Sequence, residues 1–412
     1  MSQTSGYTLP YRSLGGLIGD EEIGVLQEVL TSGEPLSQGR WRERFEGAFS
    51  ALLGVRHALS VTSGTVALEI AIRLLELAPG DEVITSPQTY QATVQALLGT
   101  GVHVRFCDVD ADTLNIDPAL LGAVATSRTR AIILVHYGGL PAAMNEIMKF
   151  ARAHGILVVE DCAHALGALY EGRPPGALAD IGCFSFHSSK TITTLGEGGM
   201  ITFDRDDWAE RVRRIRGNEC DGVYRETGGR LTEVPKALYP GLAYTHDCLR
   251  LRAPGTNATM SEPAAAVGLV QLRRLAALSA RRRRVAERID AHLAAGATFR
   301  PQVTPAGSVH GHHLYTCFVR PGSGVDRDAL VRALEERGVE VWLRYFPLHL
   351  LPEWRARGHG DGECPVAERA WFDEQLNLPC HPGMTDGELD RMLAVLDEAV
   401  AAVRPRSGTH VE

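Results

Sequence analysis

Ile156-Leu157-Val158-Val159-Glu160-Asp161-Cys162-Ala163-His164 sets four consecutive apolar residues against an immediate pair of acids. The apolar part does not alternate with polar residues, so it reads as a strand buried on both faces, as in a parallel sheet. The acids then fall at its C-terminal edge, where open α/β sheets bind their ligands. Short apolar runs of the same kind precede it at Ala58–Val61, Glu82–Thr85, Val102–Cys107 and Ala131–Val135, separated by helical or turn segments that include Thr65–Leu77 and Gln91–Leu98. Two more follow, Ile181–Phe186 and Met200–Phe203, joined by a loop rather than a full helix, a spacing that permits an antiparallel strand.

Further out, two helical patterns between Asp20 and Leu53 flank the turn-like Ser32-Gly33-Glu34-Pro35. The chain reads as helical from Asp204 to Arg216 and as irregular to Pro254, with Pro235, Pro240 and several glycines. A helix starting near Ser261 opens a second unit, with strands at Leu314–Val319 and Val339–Trp342, a closing helix at Asp386–Val403 and a fraying tail from Arg404. The expected fold class is α/β: an N-terminal arm over 1–19, a large α/β domain over 20–254 with a mostly parallel central sheet, and a smaller α+β domain over 255–412.

Composition narrows the function. The 412 residues are 44% hydrophobic and 22% charged, the proportions of a globular enzyme. A net charge of -8 and a pI near 6.0 argue against nucleic acid or an anionic membrane as partner, since either calls for a basic field. The basic run Arg281–Arg284 sits in a helix-like stretch and reads as a solvated face. Eight cysteines, from Cys107 to Cys380, lack Cys-x-x-Cys spacing and suit reduced thiols in the cytoplasm. There is neither a signal-peptide pattern at Met1–Pro10 nor an apolar run of membrane-spanning length. No metal site is expected: His310, His312 and His313 have no carboxylate spaced with them and lead into a strand.

Lysine occurs only at Lys149, Lys190 and Lys236, so chemistry that needs a primary amine has three candidates. Lys190 closes Ser185-Phe186-His187-Ser188-Ser189-Lys190 after an apolar strand and precedes Gly196-Glu197-Gly198-Gly199, a setting in which an amine can form a Schiff base with a carbonyl cofactor. Lys149 shares a polar helical stripe with Glu146 and Arg152, and Lys236 follows Pro235 in an irregular loop, so both read as surface residues. Asp161 can keep a pyridine nitrogen protonated, or equally cap the next helix. Ser63-Gly64-Thr65 joins a strand to a helix and can hold a phosphate at the helix start or serve as an ordinary cap. Ser185 offers one more hydroxyl. Tyr90 lies just past a strand end and can stack on a flat ring or simply pack.

Taken together, the order and spacing of Ser63-Gly64-Thr65-Val66-Ala67-Leu68, Glu160-Asp161-Cys162-Ala163-His164-Ala165-Leu166-Gly167, Ser185–Lys190 and Gly196–Gly199 resemble the DegT/DnrJ/StrS family of pyridoxal-phosphate-dependent sugar aminotransferases, of fold type I, from about Ser13 to Val403. The resemblance implies pyridoxal 5'-phosphate as cofactor, Lys190 as its Schiff-base residue, Asp161 at the pyridine nitrogen, and His164 beside the phenolic oxygen or ring. It implies Gly64, Thr65 and Ser185 at the phosphate, Tyr90 stacked on the ring, and Asn257 reaching the phosphate of a neighbouring subunit in a homodimer. Tyr345-Phe346-Pro347-Leu348-His349 is similar to a small-domain signature, which brings His349 near the substrate. Two positions depart from the family pattern: Thr259, where arginine is frequent, and Ala264, where glutamine is. The implied reaction moves an amino group from glutamate or glutamine to a keto sugar, nucleotide-linked, or to a keto-cyclitol. The alternatives are a lyase or an aminohydroxybenzoate-synthase-like enzyme on the same fold, or a non-catalytic regulatory relative; retention of lysine argues against the sugar dehydratases, which resemble a form with histidine there.

Overall fold

The computed structural model describes residues 6–11, 15–37, 39–217, 220–227, 230–235, 249–251 and 255–404. Two helices come first, α1 (Asp20–Thr31) and α2 (Arg40–Leu53). In α1 the carboxylate of Glu22 turns back to accept the Gly19 N–H at 2.8 Å, and three acids occupy the positive end of the helix dipole. In α2 the residues Trp41, Phe45, Phe49 and Leu53 recur every fourth position and bury one face, and Gly54, at φ 71°, closes the helix in the left-handed conformation.

The sheet that follows has seven strands: β1 (His57–Val61), β2 (Glu82–Thr85), β3 (His103–Phe106), β4 (Thr129–Val135), β5 (Leu157–Asp161), β6 (Ile181–Ser185) and β7 (Gly199–Phe203), in the order β1-β7-β6-β5-β4-β2-β3. From β6 to β3 all neighbours are parallel. The strand β7 is antiparallel to both β6 and β1, so β1 points the same way as β6. Helices α3 (Gly64–Leu74) and α4 (Met144–His154) cover the sheet between strands, and α5 (Asp206–Arg216) follows β7. The helix expected over 91–98 is instead two 3₁₀ turns at Gln91–Thr93 and Gln95–Leu97, broken at Val94, whose φ of -133° is not helical.

Beyond α5, the segment read as irregular forms three antiparallel strands, β8 (Cys220–Thr227), β9 (Arg230–Pro235) and β10 (Leu249–Leu251). Lys236 lies outside the described residues. The long helix α6 (Glu262–Ala294, 33 residues) belongs to two cores. Its first half, through Leu278, packs with Phe45, Phe49, Phe184 and Phe186; its second, from Val285, packs with Phe299, Tyr315 and Leu376. The expected division at 254/255 precedes this helix, whereas the cores part midway along it. The second core is completed by β11 (Phe299–Pro301), β12 (Tyr315–Val319), α7 (Arg327–Glu336), β13 (Gln375–Leu378) and α8 (Asp386–Val403).

Two further expectations are corrected. Residues 339–342 form no ladder strand; they make single bridges, Val339 to Leu9 of the N-terminal arm and Trp342 to Asn377. The Arg281–Arg284 run is not wholly a solvated face. Helical geometry turns Arg282 inward, where it is buried and donates to the carbonyl oxygens of Gly15 (2.8 Å), His312 (3.3 Å) and Cys380 (3.3 Å).

Candidate active site

The shared direction of β1, β2, β4, β5 and β6 brings their C-terminal ends to one edge, and a cavity of about 350 Å³ opens there. Each strand delivers part of its lining: Ser63, Gly64 and Thr65 after β1, Thr89, Tyr90 and Ala92 after β2, Val135 at the end of β4, Asp161 at the end of β5 and Ser185 at the end of β6. The loop after β6 adds His187, Ser189, Lys190 and Glu197, and Arg344 and Tyr345 complete the lining from a segment far along the chain. Of the expected residues, Lys190, Asp161, His164, Gly64, Thr65, Ser185 and Tyr90 are thus brought together.

The lysine loop is held from several directions. Phe186, which precedes it, sits in an aromatic cluster with Phe45 and Phe49, at centroid distances of 5.4 and 5.6 Å. Within the loop, the Lys190 N–H donates to the His187 carbonyl at 2.9 Å. Behind it runs the N-terminal arm, where the Gly15 N–H donates to the Ser188 carbonyl at 2.8 Å and a Cβ on Gly15 would lie 2.1 Å from the Lys190 oxygen. Only glycine fits there. Burial lowers the pKa of the Lys190 amine to about 8; Asp161 opposes that shift and Arg344 adds to it.

Asp161 is buried and doubly held, its Oδ2 by the Thr93 hydroxyl (2.8 Å) and its Oδ1 by the Ala163 N–H (3.0 Å). Burial raises its pKa, while these two hydrogen bonds and the Lys190 charge pull the other way. The preceding acid, Glu160, faces elsewhere. Together with His136 and Cys162 it makes a buried cluster of metal-ligand types, but its two oxygens accept from the N–H groups of Gly176, Leu178 and Ala179 and pair with His136 Nε2, and His136 Nδ1 accepts from Ala142. Those hydrogen bonds occupy the lone pairs a cation would need, and the cluster braces 173–179 against β5.

His164 is buried, and burial keeps its pKa well below the ordinary histidine range, so the ring is neutral near pH 7. Its Nε2 lies 3.0 Å from the Tyr345 hydroxyl, whose pKa burial raises. A protonated phenol donating to Nε2 leaves the imidazole proton on Nδ1, a buried atom with no partner among the described residues. On its other side His164 stacks against His313 at 4.4 Å. In the same cavity lining, Ser63 Oγ accepts from Val66 N–H (3.2 Å), while helix geometry gives the N–H groups of Gly64 and Thr65 no intrahelical acceptor. The doubly held carboxylate of Asp161 and this positive helix start, both in the cavity lining, fit a cofactor with a basic ring nitrogen and an anionic arm.

The other expected residues lie apart. His349 does not line the cavity: it is fully buried, with Nε2 2.9 Å from Glu368, and it packs beside Phe106. Asn257 is exposed on the strand-like segment bridged to Gly217, outside this cavity. Lys149 is exposed on α4. His310 stacks on His312 at 3.9 Å, away from the lining residues. Thr93, Arg344 and Tyr345 were not singled out in advance, although Tyr345 opens the quoted small-domain segment. The peptide between Arg344 and Tyr345 is cis.

Over residues 17–397 the sequence matches the model of the DegT/DnrJ/EryC1/StrS aminotransferase family. The chain belongs to that family. A curated relative, the spore coat polysaccharide biosynthesis protein SpsC of Bacillus subtilis (strain 168), is 35% identical over 404 residues, covering 97% of this chain and 99% of its own. The aminotransferase TlmJ from Streptoalloteichus hindustanus superposes with a TM-score of 0.84 at 31% identity, covering 95% of this chain and 99% of that one. Spr1654 of Streptococcus pneumoniae, solved in a PLP form, does so with a TM-score of 0.83 at 27% identity, covering 97% and 100%. As a DegT/DnrJ/EryC1/StrS member the chain is an aminotransferase of the pyridoxal-phosphate-dependent kind, and it carries the mostly parallel central sheet of that fold.

Proposed function

We propose that this aminotransferase moves an amino group from glutamate or glutamine to the ketone of a sugar, nucleotide-linked, or of a cyclitol, in amino-sugar, aminocyclitol or antibiotic biosynthesis. The observation that carries the reading is one cavity lined together by a lysine amine of lowered pKa, a buried, doubly hydrogen-bonded aspartate close enough to influence it, and a helix N-terminus. Bound in that cavity, pyridoxal phosphate supplies an electron sink that weakens the Cα–H bond of an amino acid.

The chain's own residues divide the remaining work. Lys190 tethers the cofactor, and its amine, once freed by the donor, takes the proton from Cα and hands it on. Asp161, fixed by Thr93 and Ala163, keeps the ring nitrogen protonated. His164, one of the lining residues, lies beside the ring or its phenolic oxygen. Gly64, Thr65 and Ser185 hold the phosphate at the α3 start. Tyr90, 54% exposed at the cavity wall, leaves a ring face free to stack. Asn257 serves the phosphate of a second subunit in a homodimer, a reading supported by its exposure outside its own cavity. The six buried free thiols of the described residues support a cytoplasmic location.

The test is spectroscopic and kinetic. The parent protein should gain visible absorbance with pyridoxal phosphate, lose it on addition of glutamate or glutamine, and regain it with a keto sugar nucleotide. Lys190→Ala should lower transamination roughly 100- to 10,000-fold, the range for removing a general base. A variant that runs at the parent rate sinks the assignment of Lys190. Return of absorbance with a free keto-cyclitol alone rules out the nucleotide-sugar acceptor.

A further inference from the structure

The cavity holds a guanidinium with no carboxylate partner among the described residues. Arg344 lines it, yet no carboxylate of the described residues forms an ion pair with its guanidinium, whose single hydrogen bond there runs from Nη1 to the Tyr345 hydroxyl at 3.5 Å. The group is nevertheless well fixed. Its backbone N–H donates to Asn377 Oδ1 (2.9 Å), and its carbonyl accepts from Gln375 Nε2 (2.7 Å) and from the Tyr137 hydroxyl. The guanidinium carbon sits 3.8 Å from the centre of the Trp342 ring, and the Tyr11 ring stacks on Trp342 at 3.9 Å and 10°. Two groups so close to one centroid occupy opposite faces, so Trp342 is sandwiched. Glu340 locks the sandwich, accepting from Trp342 Nε1 (2.9 Å) and from the Tyr11 N–H (2.6 Å). An unpaired cation held rigidly in a substrate cavity is poised for an anion, since little side-chain freedom remains to be lost on binding.

We propose that Arg344 binds the α-carboxylate of the amino donor, presented by a Tyr11–Trp342 stack that the N-terminal arm supplies. This rests on the aminotransferase reading above. Among the lining residues the only other ammonium or guanidinium group is Lys190, which the chemistry itself uses. The α-carboxylate is one bond from the carbon whose proton Lys190 removes, whereas the diphosphate of a sugar nucleotide is a sugar ring away from its ketone. Arg344 is near enough to Lys190 to contribute to lowering its pKa. A bound carboxylate cancels part of that field and makes the freed amine a stronger base when the donor is in place. Tyr11 and Trp342 touch no substrate in this scheme; they are positioning residues.

Calorimetry on the cofactor-loaded protein, with two probes that do not turn over, separates the possible anions: α-methyl-L-glutamate, whose amine can displace Lys190 but which has no Cα proton to lose, and uridine diphosphate. For Arg344→Gln the expected result is about 100-fold weaker binding of α-methyl-L-glutamate, with uridine diphosphate unchanged. Tyr11→Leu should weaken the same probe about 5-fold, the scale of a lost cation–π support. If Arg344→Gln does not fold, as judged by its melting curve, Arg344→Lys takes its place; it keeps the charge without the planar fork and should lose about 10-fold. Unchanged carboxylate binding in the folded variant, a loss confined to uridine diphosphate, or no carboxylate binding by the parent each overturns the proposal. Visible absorbance of the same samples reports cofactor uptake, so failure of the aminotransferase reading, seen as no uptake by the parent, is distinguishable from failure of the anchor.

Discussion

The amine of Lys190 works only when it is unprotonated, and its surroundings set when that is. An ordinary lysine is almost wholly charged at pH 8, whereas burial, helped by Arg344, brings this one to about 8. Below that value the ammonium has no lone pair to attack a carbonyl; above it the amine is free. The rate at which cofactor-free protein captures pyridoxal phosphate should therefore rise with pH through about 8 and then level off. Stopped-flow visible absorbance across pH 6 to 10, roughly spanning that midpoint, checks it; a rate still climbing steeply at the top of the range contradicts the lowered pKa. Much of this site was legible in advance, because three lysines leave few choices and because Asp161, Ser185 and Ser63-Gly64-Thr65 each sit next to an apolar run whose end can be read from the sequence. Thr93 and Arg344 were not legible. Their roles come from side chains far apart in sequence meeting at one sheet edge, Arg344 being separated from Lys190 by β7 to β12 and by α5, α6 and α7. His349 was misread for a related reason: the segment does reach the cavity, but at Arg344 and Tyr345, while its later residues turn inward to pair with Glu368.

Elements with an undisturbed pattern were read almost to the residue, and those that depend on partners were not. Apolar runs such as Glu82–Thr85 and the helix Asp386–Val403 specify themselves. The strands β8 and β9 were passed over as irregular although Val223-Tyr224-Arg225-Glu226-Thr227 and Arg230-Leu231-Thr232-Glu233-Val234 flank Gly228-Gly229, a recognisable hairpin signal. Gly268, inside α6, is a case where magnitudes decide. Replacing it with alanine gains about 1 kcal/mol of helix propensity. The new Cβ, however, would lie 2.8 Å from Phe45 Cζ and 2.8 Å from Thr194 Cγ2 in a fully packed core, and overpacking costs about 1–3 kcal/mol. Gly268→Ala should thus lower stability, by about 1 kcal/mol, in denaturant unfolding. Because Thr194 belongs to the lysine loop and its hydroxyl donates to the Glu197 carbonyl at 2.6 Å, the variant should also bind pyridoxal phosphate more weakly. A stabilised Gly268→Ala protein would mean that Phe45 and Thr194 yield more easily than a packed core allows.

At the scale of the whole molecule, α6 is the beam on which two cores are built, and the catalytic cavity lies at the sheet edge, where Arg344 and Tyr345, tied to Gln375 and Asn377 of β13 by the Arg344 backbone, complete its lining. One polar residue expected at the cofactor, Asn257, stands outside this cavity and faces solvent. In a homodimer with shared sites each cavity takes its lysine from one subunit and its asparagine from the other, an arrangement that two-fold symmetry makes reciprocal. Light scattering should give a particle of twice the 44.6 kDa chain mass. The sharper consequence concerns mixtures. Lys190→Ala and Asn257→Ala proteins should each be strongly impaired alone. In a mixed dimer, one site combines both substitutions, while the other combines the intact Lys190 of one subunit with the intact Asn257 of its partner. After subunit exchange at equal concentrations about half the dimers are mixed and half of their sites are intact, so activity should recover to about a quarter of the parent value. If Asn257 instead served its own subunit, every site in every dimer would carry one defect, and mixing would restore nothing.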